Sequence, residues 1–173
     1  MKKLYFLRHG QTEMNVAGIY AGIIETPLTS EGKRQAKKAG RAAKGLGIDL
    51  IVASPLSRAL ETARIVAKEI GYSSKNIKAS PLLIERFFGV MEGRPVNPEQ
   101  TYQDIEGIED DDTLVQRAHS ALGWINSLPA DHILIVSHGS FGRALRSILK
   151  EEYPMSHPER INNAELLCWI EED

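Results

Sequence analysis

The chain has 173 residues, 42% hydrophobic and 25% charged, which is the size and balance of one ordinary globular domain with a real core. Its 21 Lys+Arg against 23 Asp+Glu leave a formal charge of −2, which excludes the basic excess typical of a nucleic-acid-binding protein. A single cysteine, Cys168, excludes an internal disulfide and a cysteine-rich metal cluster, so a cytoplasmic location is expected. The apolar start ends at Arg8 and His9, short of a signal-peptide core, and no later stretch approaches a membrane span.

Taken in chain order, strand and helix patterns alternate. Residues 3–7 form a short continuous apolar run, the pattern of a strand buried on both faces. Residues 30–44 predict a helix whose Ala36, Ala39 and Ala43 make a narrow packing stripe, with Lys33, Arg34, Lys37, Lys38, Arg41 and Lys44 on the solvated side. Without interleaved aromatic residues, this basic face does not suit RNA, and no nucleic-acid partner is expected. A strand over 49–53 leads to a helix over 55–70, with Ser54 as its N-cap, Pro55 in its first position and Leu56, Leu60, Ala63, Ala67 and Ile70 on one stripe. Residues 87–112 are irregular and rich in Gly and Pro. Eight acids fall there (Glu92, Glu99, Asp104, Glu106, Glu109, Asp110, Asp111, Asp112), and the terminal Asp run is placed to cap the next helix, over 113–127. A strand over 132–137, a helix over 140–150 and a strand over 166–170 complete the chain. The expected fold is α/β: a three-layer sandwich with a mostly parallel central sheet and helices on both faces, in a single domain over 1–173.

Two strand ends echo each other. Leu4-Tyr5-Phe6-Leu7-Arg8-His9-Gly10 and Ile133-Leu134-Ile135-Val136-Ser137-His138-Gly139 each run from an apolar strand through a polar residue to His-Gly. Ligands of open α/β sheets bind outside the C-terminal strand ends, so His9 and His138 meet there if their strands are neighbours. Arg58 lies in the first turn of its helix, where the macrodipole favours an acid, and a nearby anion would remove that conflict. Arg8 would be costly to bury unpaired. Two such guanidinium forks suit a phosphate, and the amides of the helix beginning near Ser140 would add to the same pocket.

The segment Leu7-Arg8-His9-Gly10-Gln11-Thr12-Glu13-Met14-Asn15 resembles the signature of the histidine phosphatase superfamily, which includes phosphoglycerate mutases, fructose-2,6-bisphosphatases and many small phosphatases. Pro27–Ala36, Ser54-Pro55-Leu56-Ser57-Arg58-Ala59, Leu83–Gly89 with Glu92-Gly93, and Val136-Ser137-His138-Gly139 are similar to its later blocks. The resemblance implies a phosphoglycerate mutase-like fold in which His9 is the nucleophile and becomes phosphorylated. It further implies that Arg8, Arg58 and His138 hold the phosphoryl oxygens, with Asn15, Gly22 and Gly139 nearby, and that Glu85 is the proton donor. No cofactor or metal is implied, and the expected partner is a small phosphorylated substrate, a monoester first.

Departures from the pattern favour hydrolysis over phosphoryl transfer. Phe88 stands where the mutases have Tyr, Ala21-Gly22-Ile23 replaces their Thr-Gly-Trp, and His138 follows Glu85 by only 53 positions, with no Arg-Arg pair between them. A mutase must retain a bisphosphate and exclude water, and this chain has little material for that. If the acidic loop overhangs the pocket, it would repel polyphosphorylated substrates. Mutase-type transfer, a protein phosphohistidine phosphatase and a non-catalytic phosphate-binding module are the alternatives. A two-histidine, one-carboxylate metal site of His9, His138 and Glu85 is opposed by the charges of Arg8 and Arg58. His119, His132 and His157 are read as structural, and Asn163 as architectural.

Overall fold

The computed structural model describes residues 2–102 and 105–170. Its centre is a five-stranded sheet of β1 (Lys3–Arg8), β2 (Leu50–Ala53), β3 (Lys78–Ala79), β4 (His132–Ser137) and β5 (Leu166–Ile170), in the order β3-β2-β4-β1-β5. All neighbours pair in parallel except β5, which runs antiparallel to β1 at the edge. The helices are α1 (Glu13–Ala17), α2 (Ser30–Ala43), α3 (Ser57–Ile70), α4 (Asp111–Ser127) and α5 (Gly139–Leu149).

Alternation along the strands builds two cores. Leu4, Phe6, Val52, Ile133 and Ile135 face α4 and α5 together with Leu114, Phe141 and Leu145. Tyr5, Leu7, Ile51, Leu134 and Val136 face the other way, against Ala39 of α2 and Ala59, Ala63 and Val66 of α3. Successive side chains of a strand point to opposite faces, so apolar residues at every position require a helical layer on each side. The three-layer α/β architecture follows from that pattern. The bases of α2 lie on its outer side, where Lys33, Arg34 and Arg41 pair with Glu61, Glu31 and Glu69.

Chain connections set the position of the site. After β1 the chain passes to α2 on one face, and after β4 it passes to α5 on the other. Because β1 and β4 are adjacent, a crevice opens between their C-terminal ends, the usual binding position in such sheets. The loop leaving β1 packs directly on the start of α2: a Cβ on Gly10 would lie 2.3 Å from the Gly32 carbonyl oxygen, and one on Gly32 would lie 2.0 Å from that of Gln11.

Two local expectations are corrected. The third helix begins at Ser57, not Pro55, and Ser54 does not cap it. The carboxylate of Glu25 does so from a distant loop, accepting from the Ser57 N–H at 2.9 Å and from its hydroxyl. This acid also removes the conflict of Arg58 with the helix dipole. The short α1, the two-residue β3 and three single-turn helices carry too little apolar periodicity to be seen in the sequence. The Asp run behaves as expected, with Asp110 accepting from the Thr113 N–H at 2.7 Å to cap α4.

Packing of α5 on the sheet is tight at Gly142, where a Cβ would meet Phe6 Cζ at 2.5 Å and Ile161 Cδ1 at 3.0 Å. Phe6 cannot yield, because its ring stacks on Trp169 with centroids 4.4 Å apart. Gly142→Ala is expected to destabilise the fold by about 1–3 kcal/mol. Gly123→Ala, at an exposed helical position with open space around it, is expected to stabilise by about 0.5–1 kcal/mol. Urea titration of both variants checks the contrast.

Candidate active site

Parallel pairing of β1 with β4 puts Arg8 opposite Ser137, so the next residues on each strand, His9 and His138, emerge side by side. The His9 N–H donates to the Ser137 carbonyl at 3.0 Å, and the two imidazoles meet edge-on with centroids 5.2 Å apart. Both rings are buried.

The local hydrogen bonds of His9 decide its chemistry. Its Nδ1 lies 2.7 Å from the Gly10 carbonyl, and a carbonyl can only accept, so Nδ1 carries the proton and Nε2 keeps its lone pair. Gly10 is itself held, its N–H donating at 3.1 Å to Thr62 Oγ1, which in turn donates to the Arg58 carbonyl at 2.7 Å. Burial first, then the charges of Arg8 and Arg58, hold the His9 pKa well below the usual imidazole value, against a smaller opposing pull from the Gly10 bond. His138 is depressed in the same sense, again by burial first and then by Arg58, His9, Arg8 and Arg117. Both rings are therefore neutral at pH 7.

Arg8 and Arg58 both act on His9, and among the described residues neither has a carboxylate ion-pair partner. Arg8 Nη1 donates to the Ile161 carbonyl at 2.7 Å, and Arg58 donates to the carbonyls of Ile24 at 2.9 Å and Gly22 at 2.5 Å. The Nε of each is buried with no partner among the described residues, as is His138 Nδ1. These unmatched donors are what a tetrahedral oxyanion would satisfy. His138 Nε2 is 2.8 Å from Ser54 Oγ, the role that replaces the expected N-cap.

Glu85 Oε1 accepts from the N–H groups of Arg86 at 2.8 Å and Phe141 at 3.0 Å, and Oε2 from Ser140 at 3.2 Å. The first amides of α5 thus hold the carboxylate, which corrects the expectation that they would face a phosphate. Arg117 fixes the segment beneath by donating to the carbonyls of Leu82, Ile84 and Glu85 and pairing with Glu109 at 2.8 Å. Asn15 spends its Oδ1 on the Thr12 N–H and on Asn163, whose Nδ2 also donates to the His9 carbonyl at 3.1 Å.

Arg8, His9, Asn15, Gly22, Arg58, Glu85 and Gly139 border one cavity of about 150 Å³. His138 is the one sequence-predicted site residue outside its lining, and its ring packs edge-on against His9. The structure also brings Thr62, Ser54, Arg117 and Asn163 as supports; only Asn163 was singled out by sequence for such a role.

The acidic gate is overturned. The described residues of this stretch line the cavity with Phe88, Val96, Asn97 and Tyr102 and with none of their acids. Three of those acids have partners of their own: Glu92 accepts from the Ile23 and Phe88 N–H groups, Glu109 binds Arg117, and Asp111 binds Arg86 at 2.5 Å. Asp104 lies outside the described residues. No group of three or more His, Cys, Asp or Glu among the described residues could hold a metal ion, and none of the helices there is long and apolar enough to cross a membrane. His132 and His157 bond only to main-chain groups, Leu46 and Glu159.

A family model described as the histidine phosphatase superfamily (branch 1) matches residues 4–171. The chain is 32% identical over 171 residues to "Uncharacterized phosphatase PhoE" of Bacillus subtilis (strain 168), covering 95% of this chain and 86% of that protein. It is 34% identical over 154 residues to "Probable phosphoglycerate mutase GpmB" of Klebsiella pneumoniae (strain 342), covering 80% and 70% respectively. Among solved structures it is similar to Bacillus stearothermophilus YhfR, with a TM-score of 0.84 at 25% identity, covering 96% of this chain and 89% of that one. It is also similar to the alpha-ribazole phosphatase from Shigella flexneri, with a TM-score of 0.77 at 28% identity, covering 95% and 88%.

The depressed histidines carry a stability consequence. The unfolded chain protonates each imidazole near pH ~6.5, while the folded state resists protonation, so stability is fully present above that pH and is lost as pH falls below it. The expected slope approaches about 1.4 kcal/mol per pH unit for each ring. Denaturant titrations from pH 7.5 down to 5 check this, and His138→Asn should remove one proton's share of the slope.

Proposed function

The chain belongs to the histidine phosphatase superfamily, and on that premise we propose that it hydrolyses small phosphomonoesters through a phosphohistidine on His9. The observation that carries this reading is the state of His9: a buried neutral ring, its proton committed to Gly10, its Nε2 free between two guanidinium groups with unmatched donors. An attacking imidazole must be neutral and fixed in its tautomer, and that arrangement meets both needs.

In the first step Nε2 attacks phosphorus and the bond to the leaving oxygen breaks, while Glu85 delivers a proton to that oxygen. Phosphoryl transfer asks little covalent chemistry of the protein beyond positioning and charge stabilisation. Arg8 and Arg58 supply that charge. His138 adds a neutral donor: with the Ser54 hydroxyl donating to Nε2, the ring proton sits on the unpartnered Nδ1 and is offered to a phosphoryl oxygen. Asn15 Nδ2 and the Gly139 backbone complete the cradle. In the second step Glu85 takes a proton from water as it attacks phosphorus, the P–N bond breaks, and phosphate and neutral His9 are released. Two guanidinium groups beside His9 oppose a metal cation there, and the mechanism assigns none a role.

Mutase-type transfer is the second reading, favoured by the relatives named as phosphoglycerate mutases. Hydrolysis is preferred because Phe88, Val96 and Asn97 roof the cavity with neutral groups and the stretch between Glu85 and His138 lacks the Arg-Arg pair of the mutases.

His9→Ala is expected to reduce turnover of p-nitrophenyl phosphate by at least ~10³-fold and to abolish acid-labile, base-stable phosphate labelling of the protein. Activity that survives this substitution overturns the mechanism. Glu85→Gln should cost about 10²–10⁴-fold in kcat on alkyl phosphates and less on p-nitrophenyl phosphate, whose leaving group needs little protonation. Dialysis against EDTA should leave both rates unchanged.

A further inference from the structure

Arg8, Arg58 and Arg143 border the cavity, whereas Arg117, on α4, does not. All five of its guanidinium N–H groups are nevertheless spent. Nε and Nη2 form a fork on the Glu109 carboxylate, each bond 2.8 Å long. Nη1 donates to the carbonyls of Leu82 at 3.0 Å and Ile84 at 2.8 Å, and Nη2 to that of Glu85 at 3.2 Å. The Leu83 carbonyl between them accepts from Ser137 Oγ at 2.7 Å. Four consecutive carbonyls, ending at the acid itself, are thus taken by side chains of α4 and β4, three of them by one guanidinium.

This main chain needs such a brace. Glu85 lies outside every strand and helix, so no ladder of backbone bonds fixes it. Its carboxylate is held by the N–H groups of Ser140 and Phe141, and the Arg117 guanidinium lies 5.1 Å from the centroid of the Phe141 ring. One side chain therefore steadies both the acid's main chain and the helix turn that grips its carboxylate. Glu109 extends the brace to Phe87, donating its N–H to the Phe87 carbonyl at 2.8 Å and accepting the Phe87 N–H on Oε2 at 3.1 Å. The next residue, Phe88, is part of the cavity wall. With every donor committed and its charge matched by Glu109, Arg117 has no bond left to offer a substrate, so it acts on the chemistry through geometry.

We propose that Arg117, seated by Glu109, is the positioning residue of the general acid: it sets where the Glu85 carboxyl stands relative to the leaving oxygen. This rests on the phosphatase reading above and deepens it. A planar fork that meets a carboxylate and three carbonyls at once has a geometry that an ammonium group does not reproduce, so Lys at 117 keeps the charge and loses the alignment. Misplacing a catalytic group by about 1 Å costs on the order of 10²-fold in rate. For an acid, that loss falls on substrates whose leaving oxygen needs the proton.

The test measures kcat/KM, which reports the first phosphoryl transfer, on p-nitrophenyl, phenyl and benzyl phosphate, three esters with similar rings and increasingly basic leaving oxygens. Arg117→Lys should lower the value by about 10–100-fold for benzyl phosphate and by less than about threefold for p-nitrophenyl phosphate, with phenyl phosphate between them. In a Glu85→Gln background the same substitution should cost less than about twofold on benzyl phosphate, because the group it positions is gone. Glu109→Gln, which loosens the fork without removing it, should give the same gradient at smaller size, and it carries the test if Arg117→Lys does not accumulate as folded protein. Arg41→Gln, on the outer side of α2, should leave all three values unmoved. An equal loss on the three esters, or full additivity with Glu85→Gln, overturns the positioning role and leaves the phosphatase reading standing. If Glu85→Gln itself shows no gradient, its assignment as acid falls and the role of Arg117 with it. If no ester is turned over and His9 is not labelled, the phosphatase reading falls too.

Discussion

The site depends on arginines anchored by main-chain carbonyls. Arg8 is held by Ile161, Arg58 by Ile24 and Gly22, and Arg143 by Met155 and His157. A carboxylate in those places would fix the side chains equally well but cancel their charge. A carbonyl fixes them and leaves the charge available, at the cost of a partly desolvated cation whose pKa is depressed by burial. Burial first, and the charges of these arginines second, hold His9 and His138 below the usual imidazole range.

The acids of the molecule are distributed to suit. Glu85 is tied to the start of α5, Glu25 to the start of α3, Glu109 to Arg117 and Glu92 to two amides. Each neutralises an N–H cluster or a supporting arginine instead of the phosphoryl centre. Among the acids of the described residues, Glu85 alone borders the cavity.

Much of this was legible in the sequence. Strands buried on both faces give unbroken apolar runs, so β1 and β4 could be read directly, and their matching His-Gly ends announced the crevice. Of the eight site residues carried by the family resemblance, seven border it and His138 packs against the ring of His9. What could not be read depends on contacts between distant segments. Ser54-Pro55 has the local form of a helix start, yet tertiary packing gives Ser54 to His138 and the cap to Glu25. The eight acids of 87–112 look like a gate in one dimension, but Glu92 turns to the loop before α2 and Glu109 to Arg117 of α4, contacts that no local pattern announces. Thr62 and Arg117 act entirely through residues far along the chain, and no local pattern marks them.

The carbonyl of His9 is held from the far end of the molecule, by Asn163 Nδ2 across 154 positions of sequence and by the Ala164 N–H at 3.1 Å. Ala164 itself adopts a left-handed φ of 52°, an uncommon conformation for a residue with a side chain, which the surrounding bonds must enforce. The His9–Gly10 peptide is thus clamped by a segment 154 positions away, so the orientation of the His9 ring depends on the stretch before β5 staying seated against β1.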